Sequence, residues 1–410
     1  MTSPLPSPGK TLAWTIAFTS LMSITMATAI FSSTVLGVIS PFLIEDLEIT
    51  RTQLGWLAGV VSITAATLGP STGKIADRIG GRSTAAAVFV ISGLGLLAMS
   101  ASPTYAILLL AGLLSGIGQS GANPSTNKLI RLHVAPRQRG IITGIKQSGV
   151  QLGLFLGGLI VPGLAISFGW RTVLASTALV PVAGVIVTIL LVPRDNVSDT
   201  GSALMAQAGA PLPNSIRQMA VQGVLIGMSV ATFVTFLPLY TEEQLGSSVT
   251  TAGFVAGAYA ISGLSARLVI TGLGARSTHL ARPMLLVTRL SIIGIVMVWF
   301  GSFGGMTFVW IGATLVGTQV AWTALAMLDV VTRVPNHQAG RASGVISRGF
   351  GFGLALGPPI FGFTVDATGS YHLGFLFPLT ALVTAGVLIR RWEKSDPVDQ
   401  GVAGLPEAGI

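Results

Sequence analysis

The stretch Gly73-Lys-Ile-Ala-Asp-Arg-Ile-Gly-Gly-Arg82 is a short polar segment between two long apolar runs, which fill most of 54–68 and 83–99. Its glycines allow a tight turn between two helices, and its basic residues are of the kind that collects on the cytoplasmic side of a membrane. Asp77 can accept hydrogen bonds from a helix N-terminus or pair with an arginine. The stretch therefore predicts two membrane-spanning helices joined on the cytoplasmic side.

The amino-acid composition indicates a protein embedded in a membrane. Of the 410 residues, 51% are hydrophobic and only 9% are charged, whereas a soluble protein carries about 25% charged residues. Long apolar runs without alternating polarity favour spanning helices over an outer-membrane barrel. The net charge of +9 sits in short loops between apolar runs, so the membrane explains it better than a nucleic-acid partner does. The absence of cysteine excludes disulfides and thiol chemistry.

The apolar runs predict an all-α membrane protein with twelve transmembrane helices. The first run is longer than the apolar region of a signal peptide and is interpreted as a retained helix. The candidate spans lie at 12–40, 54–72, 83–101, 104–131, 141–166, 170–192, 216–240, 251–273, 283–302, 305–331, 343–365 and 372–391.

The region 193–215 separates the first six spans from the last six. It is rich in Asp, Ser, Ala, Gly and Pro, which is typical of a flexible linker. We therefore expect a six-helix bundle at 1–192, a cytoplasmic linker at 193–215, a second bundle at 216–392 and a polar cytoplasmic tail at 393–410.

The distribution of charge predicts the orientation in the membrane. With both termini in the cytoplasm, Arg51 and Arg171 are the only ones of the 23 Lys and Arg residues in outer loops. Because basic residues collect in cytoplasmic loops, this asymmetry predicts a multi-pass protein of the inner or plasma membrane with both termini inside. The outer loops instead carry acids: Glu45, Asp46, Glu48, Glu242 and Glu243.

The chain also repeats itself weakly. Arg78 corresponds to Arg276, whereas Asp77 corresponds to Ala275. Glycine periodicity can arise from helix packing alone, but the matched register over more than one loop favours an internal duplication into two pseudo-symmetric six-helix bundles. Six glycines recur at one constant offset: Gly140, Gly144, Gly149, Gly153, Gly157 and Gly169 correspond to Gly340, Gly344, Gly349, Gly353, Gly357 and Gly369.

The opening stretch resembles the signature G-x-x-x-D-R-x-G-R-R between the second and third helices of the major facilitator superfamily. Gly73, Asp77, Arg78, Gly80 and Arg82 match this signature, and Gly81 replaces the first of its paired arginines. An ordinary positive-inside loop is the alternative for this segment alone. With the twelve spans, the linker and the repeat, the resemblance covers about the whole chain. It implies the fold and alternating-access transport, but not the substrate.

In that family, spans 1, 4, 7 and 10 line the central cavity, with spans 2, 5, 8 and 11 beside them. Span 5 places Lys146, Gln147 and Gln151 in an apolar helix. Polar groups inside a membrane are costly and indicate functional sites. The alternative is that Lys146 extends toward the inner surface.

Two arginines on spans 8 and 11 are the strongest candidate substrate ligands. Arg267 lies about 13 Å deeper than Arg276 at 1.5 Å per residue. Its segment Gly263–Leu268 resembles monocarboxylate transporters and oxalate–formate exchangers, which implies that Arg267 binds substrate, and Arg348 resembles a cation of the latter family on span 11. We expect Arg267, Arg348 and Lys146 to face one aqueous cavity. A salt bridge at the inner gate is the alternative for Arg267.

Uncharged residues complete the predicted substrate site. Asn123, Asn127, Thr28, Gln319 and Trp322 lie on cavity-lining spans. Hydroxyls on spans usually serve helix packing, which is the alternative for each of them. Weaker candidates of the same kind are Thr25, Ser32, Ser33, Thr232, Thr235 and Phe236.

The loop signature predicts a conformational gate. The resemblance implies that this loop closes the inner end of the outward-open state, with Asp77 near the inner end of span 11. The predicted gate residues are Gly73, Asp77, Arg78, Gly80, Arg82 and Arg276.

Acids are scarce inside the spans. Asp329 precedes Arg333 by one helical turn, which favours a structural ion pair. Asp366, close to Gly369, is interpreted as a turn residue. Neither lies at mid-membrane as an obvious proton carrier.

The alternative function is export of drugs or lipophilic solutes by proton antiport. The pattern from Gly344 to Gly362 on span 11 resembles the antiporter signature G-x8-G-x3-G-P-x-x-G-G, which drug exporters carry on helix 5. Here span 5 has Gly158 where proline is expected and Val161-Pro162 where two glycines are expected. This departure counts against drug–proton antiport without excluding it.

We therefore expect a monomeric secondary transporter of a small solute, an organic or inorganic anion, with a proton or a counter-anion as candidate coupled ion. No metal-ligand cluster or nucleophile–base pair appears in the loop sequences, so an enzyme, a metal and a cofactor are not expected. The loops are too short for a sensory domain, so a receptor is not expected either.

Overall fold

The computed structural model describes residues 12–194, 212, 214–274, 280–334 and 336–395. Every regular element in these ranges is a helix, and twelve helical segments are long and apolar enough to cross a membrane, so the predicted fold class is confirmed. They are called span 1 to span 12 in chain order: Leu12–Val38, Arg51–Ile79, Gly81–Ser100, Tyr105–His133, Arg137–Phe168, Trp170–Leu191, Asn214–Leu245, Val249–Gly274, Ala281–Gly304, Met306–Val330, Arg341–Thr368 and Tyr371–Lys394.

Several spans differ in length from the prediction. Span 1 is followed by a separate short helix, Ser40–Leu47, which has a proline in its first turn. The helix of span 5 begins at Pro136, and a 3₁₀ turn at Thr318–Val320 interrupts span 10. Polar flanks thus continue many of the helices beyond the apolar stretch that the membrane requires.

The stretch 73–82 is mostly helix, so its interpretation as a loop was wrong in extent. Span 2 runs from Arg51 to Ile79, and span 3 begins at Gly81. The connection is Gly80 alone, with a φ of 90° that only glycine adopts readily. Gly73 lies within span 2, where an added Cβ would meet nothing within 4 Å, so it has no role in the turn.

Spans 1–6, here called the first half, pack in the same way as spans 7–12, the second half. Span 5 packs on span 1, where a Cβ on Gly149 would collide with the Ser23 carbonyl oxygen. Span 11 packs on span 7, where a Cβ on Gly349 would collide with the Ala220 carbonyl oxygen. The glycine repeat of the sequence therefore corresponds to one helix contact made twice.

The halves meet mainly through two equivalent pairs of spans, 2 with 11 and 5 with 8. A Cβ on Gly55 would collide with the backbone of Pro358, and a Cβ on Gly158 would collide with the backbone of Gly253. Glycines thus allow the helices of opposite halves to touch directly.

The two ends of the bundle differ in charge. Toward the basic end, Asn123, Asn127 and Arg348 are exposed, whereas the glycine contacts between the halves lie toward the acidic end. The interface is therefore open toward the basic end. The acidic end is defined by Glu45, Asp46, Glu48, Glu242, Glu243 and Asp366, and the basic end by Lys74, Arg78, Arg82, Arg131, Arg137, Arg139, Arg282, Arg390 and Arg391.

Two predicted regions fall largely outside the described residues. They are the linker at 193–215 and the tail at 393–410, of which the helix of span 12 includes the first residues up to Ser395. The predicted division into domains therefore stays a prediction.

Candidate functional site

Arg267 on span 8 joins the two halves. Its Nη1 donates to the carbonyl oxygen of Gln147 at 3.2 Å and to Gln151 Oε1 at 3.4 Å, both on span 5. Its Nη2 donates to Thr323 Oγ1 on span 10 at 2.9 Å. Its Nε is buried and has no hydrogen-bond partner in the described structure. The guanidinium thus lies between the halves with neutral partners, and its buried Nε–H is left unpaired.

Lys146 lies within the first half, directly beside this contact. Its Nζ donates to Asn127 Oδ1 at 2.6 Å, to Thr126 Oγ1 at 2.8 Å and to Asn123 Oδ1 at 3.2 Å. The side chain is fully buried, with 0% exposure. Gln147 Nε2 lies 3.4 Å from Asn123 Oδ1 and continues the polar network toward Arg267.

Arg348 on span 11 is exposed and makes no hydrogen bond or ion pair with the described residues. The three predicted cations therefore have different environments. The structure contradicts their placement in one cavity, because Lys146 is enclosed by its three oxygen partners and does not offer its ammonium to open space.

The second half contains further buried polar groups near the interface. Gln319 Nε2 lies 3.4 Å from the Tyr259 hydroxyl, while Gln319 Oε1 and Trp322 Nε1 have no partner in the described structure. On span 7, both side-chain polar atoms of Gln222 lack a partner there, and so does the hydroxyl of Thr232. Unpaired buried polar atoms are rare in folded proteins. Spans 7 and 10 therefore hold hydrogen-bond donors and acceptors that no described residue uses.

Sequence reasoning missed Gln222, Tyr259 and Thr323. A glutamine within an apolar span is a detectable signal, and Gln222 could have been found in that way. Thr323 could not, because a threonine on a span usually serves packing.

Two of the hydroxyls predicted on span 1 bond to the backbone of their own helix. Thr25 Oγ1 donates to the Leu21 carbonyl oxygen at 2.7 Å, and Ser33 Oγ donates to that of Ile30 at 2.8 Å. Thr28 is buried on the same helix. The packing alternative thus describes the hydroxyls of Thr25 and Ser33 in this structure. Ser32, Thr235 and Phe236 are buried as well.

At the basic end, the signature residues contact their own half. Asp77 lies 3.6 Å from Lys128 Nζ, which also donates to the Ala76 carbonyl oxygen at 2.8 Å. Arg82 Nη2 donates to the Ile189 carbonyl oxygen at 2.6 Å. The predicted approach of Asp77 to span 11 concerns the orientation in which the basic end is closed, and it stays a prediction.

Arg78, Arg276 and Asp329 were also predicted near this end. Arg78 is exposed, and Arg276 lies outside the described residues. Asp329 is buried on span 10, while the side chain of its predicted partner Arg333 also lies outside the described residues.

At the acidic end, four residues that we call the acidic-end lock connect the halves: Arg51, Glu243, Asp366 and Tyr371. Arg51 Nη2 lies 2.7 Å from Glu243 Oε2, to which the Tyr371 hydroxyl also donates at 2.6 Å. Asp366 Oδ2 accepts from the backbone N–H of Thr52 at 2.7 Å and from its hydroxyl at 2.6 Å. The interpretation of Asp366 as a turn residue was wrong, because it lies within a helix of the second half and binds the first turn of span 2.

Twelve spans in two similar halves, joined at one end and open toward the other around an interfacial cation, have the architecture of a membrane transporter. The family model described as Major Facilitator Superfamily matches residues 21–347, and the chain belongs to that superfamily. It is a multi-pass membrane transporter and not an enzyme.

Two relatives match over most of their length. The hexuronate transporter of Bacillus subtilis is 24% identical over 88% of this chain and 90% of its own. The probable sulfoacetate transporter of Cupriavidus necator is 22% identical over 86% of this chain and 87% of its own.

A solved structure has the same fold. It is the inward-facing, unoccupied structure of a bacterial homologue of the human lysosomal transporter Spinster, with a TM-score of 0.74 and 16% identity, covering 94% of this chain and 98% of that one.

Proposed function

We propose that this transporter moves a small organic or inorganic anion across the membrane by alternating access. The observation that supports the proposal is the position of Arg267, which contacts spans 5 and 10 from span 8 and has only neutral partners among the described residues. An anion bound there would contact both halves at once, so its binding can be linked to their movement.

The energetics favour an anionic ligand. A charged side chain inside a membrane costs about 2.5–3.5 kcal/mol on insertion scales unless it faces a cavity or a partner. A guanidinium presents a planar set of donors that holds a carboxylate or a sulfonate through two hydrogen bonds. Arg348, exposed at the open side of the interface, adds positive potential. The two relatives are named for hexuronate and sulfoacetate, which are anions at neutral pH.

We place the basic end in the cytoplasm of a cell whose inner or plasma membrane holds the protein, because basic residues collect on that side. The orientation seen here is then inward-facing. The substrate passes through a monomer and is coupled to a proton or to exchange for a second anion.

Reconstitution in liposomes tests this function. Purified protein should mediate uptake or exchange of at least one of three labelled anions, glucuronate, sulfoacetate or nitrate, and should not transport a cationic drug. The Arg267→Ala variant should abolish this flux. The matched control Arg289→Ala removes an exposed arginine from span 9 and should preserve it. Transport of the cationic drug with no anion flux would contradict the proposal and favour drug export.

A further inference from the structure

Lys146 is a buried cation whose hydrogen bonds are complete. An ammonium has three N–H donors and no acceptor, and Asn123, Thr126 and Asn127 supply three oxygens at 2.6–3.2 Å. No carboxylate among the described residues pairs with it. Burying a charge in this way costs free energy. Apolar residues would join spans 4 and 5 at a lower cost.

The ammonium fixes the orientation of two amides. Because it can only donate, the side-chain oxygens of Asn123 and Asn127 must face it, whichever way an amide would otherwise be oriented. The NH₂ group of each asparagine therefore points away from Lys146. Gln147 Nε2 also donates to Asn123 Oδ1, so this oxygen accepts two hydrogen bonds. Both asparagines thus present their NH₂ donors on the side away from Lys146.

These outward donors lie on an open surface. Asn123 and Asn127 are exposed and stand one turn apart on span 4, about 6 Å along the helix axis. Asn127 also borders a cavity of about 250 Å³, whose lining includes Asp77, Lys128 and Arg131. Asp77 is the acid of this lining and lies beside Lys128, 3.6 Å from its Nζ.

We propose that Lys146 is a positioning residue that turns the NH₂ groups of Asn123 and Asn127 toward the open interface, where the two amides bind the oxyanion group of the substrate. The ligand class is a carboxylate or a sulfonate. The buried charge polarises both amides and strengthens their donation, while full burial keeps the ammonium itself from the ligand. This inference rests on the proposed anion transport and adds a subsite on the first half, opposite Arg267.

Exchanging amide for carboxylate separates this role from a structural one. Asn123→Asp and Asn127→Asp keep the shape and give Lys146 an anionic partner, so a purely structural cage would be maintained or strengthened. Each exchange removes the outward NH₂ donors. Asn123→Ser and Asn127→Ser remove the same donors without adding charge. Asn214→Asp, at the start of span 7, is the matched control for charge.

The readout is the melting temperature of the purified full-length protein, alone and titrated with glucuronate, sulfoacetate or nitrate. We expect wild type to be stabilised by at least one of these anions. Both aspartate variants should melt at or above the wild-type temperature without anion, and their apparent Kd for it should be at least tenfold higher. Both serine variants should show the same loss of affinity, and Asn214→Asp should behave as wild type.

Three outcomes would overturn the subsite. The first is wild-type affinity for the anion in both aspartate variants or in both serine variants. The second is an equal loss of affinity in Asn214→Asp, and the third is retained affinity in Lys146→Met. If an aspartate variant does not fold, the serine variant at the same position decides. A wild-type protein that none of the three anions stabilises would instead refute the proposed function itself, and the subsite with it.

Discussion

At the scale of single residues, the structure separates glycines that look alike in the sequence. Gly144 and Gly149 both belong to the repeated pattern on span 5. A Cβ on Gly149 would collide with the Ser23 backbone, whereas a Cβ on Gly144 would meet nothing within 4 Å. Of these two glycines, Gly149 is the one that the approach of spans 1 and 5 requires.

We predict that Gly149→Ala destabilises the protein by about 1–3 kcal/mol, the usual cost of overpacking. Gly144→Ala should instead be neutral or stabilising by up to about 1 kcal/mol, because alanine loses less backbone entropy in a helix. Melting temperatures of the two purified variants measure the difference. Equal melting temperatures would show that the contact between spans 1 and 5 is not as close as the structure indicates.

The residues of the candidate site were predictable to different degrees. Arg267 and Lys146 are conspicuous in the sequence because a charge within an apolar helix needs a reason. Their partners were not predictable, since these depend on how spans 4, 5, 8 and 10 are rotated against each other. Lys146 was therefore predicted in an aqueous cavity and is instead enclosed by span 4.

At the scale of helices, the acidic-end lock contains a side chain of the second half that caps the N-terminus of a helix in the first half. Thr50 and Gln53 form a capping box at the start of span 2. Asp366, from span 11, accepts from the N–H groups of Arg51 and Thr52 in the same first turn. Because a helix N-terminus is partly positive, this carboxylate favours contact between the halves.

We predict that Arg51→Gln weakens closure at the acidic end. Partly exposed ion pairs contribute up to about 1 kcal/mol, so the population open at that end should rise by about fivefold. The rate at which a thiol reagent modifies Ser32→Cys, at a buried position on span 1, measures this opening in the cysteine-free chain.

Arg171→Gln is the control for this measurement. Arg171 forms a comparable ion pair with Asp46 at 2.6 Å, but both residues belong to the first half. Its removal should leave the modification rate unchanged. Equal rates in the two arginine variants would show that Arg51 does not hold the halves together.

Helix positions were largely evident from the sequence, whereas helix ends were not. Apolar runs locate the spans because each must cover the membrane thickness. The ends depend on polar residues that can continue a helix outside the membrane, as Lys74, Asp77 and Arg78 do in span 2. The acidic-end lock could not be predicted from the sequence, because residues far apart in the chain, such as Arg51 and Asp366, meet only through the packing of the halves.

At the scale of the whole molecule, the duplicated halves and the charge of the two ends predict the orientation. We expect an impermeant thiol reagent outside intact cells to label Ser247→Cys, which lies between spans 7 and 8 at the acidic end, and to spare Ser202→Cys in the linker. Labelling in the reverse pattern would place the basic end outside and make the present orientation outward-facing.

The proposed transport depends on an anion held at Arg267 between the halves. Titration calorimetry of the anion that wild type transports, with the Arg267→Lys, Arg267→Ala and Arg289→Lys variants, tests this most directly. Lysine keeps the charge but cannot form two parallel hydrogen bonds, so Arg267→Lys should weaken affinity at least tenfold, about 1.4 kcal/mol. Arg267→Ala should bind no anion, and Arg289→Lys should bind as wild type. Wild-type affinity in both Arg267 variants would contradict the account.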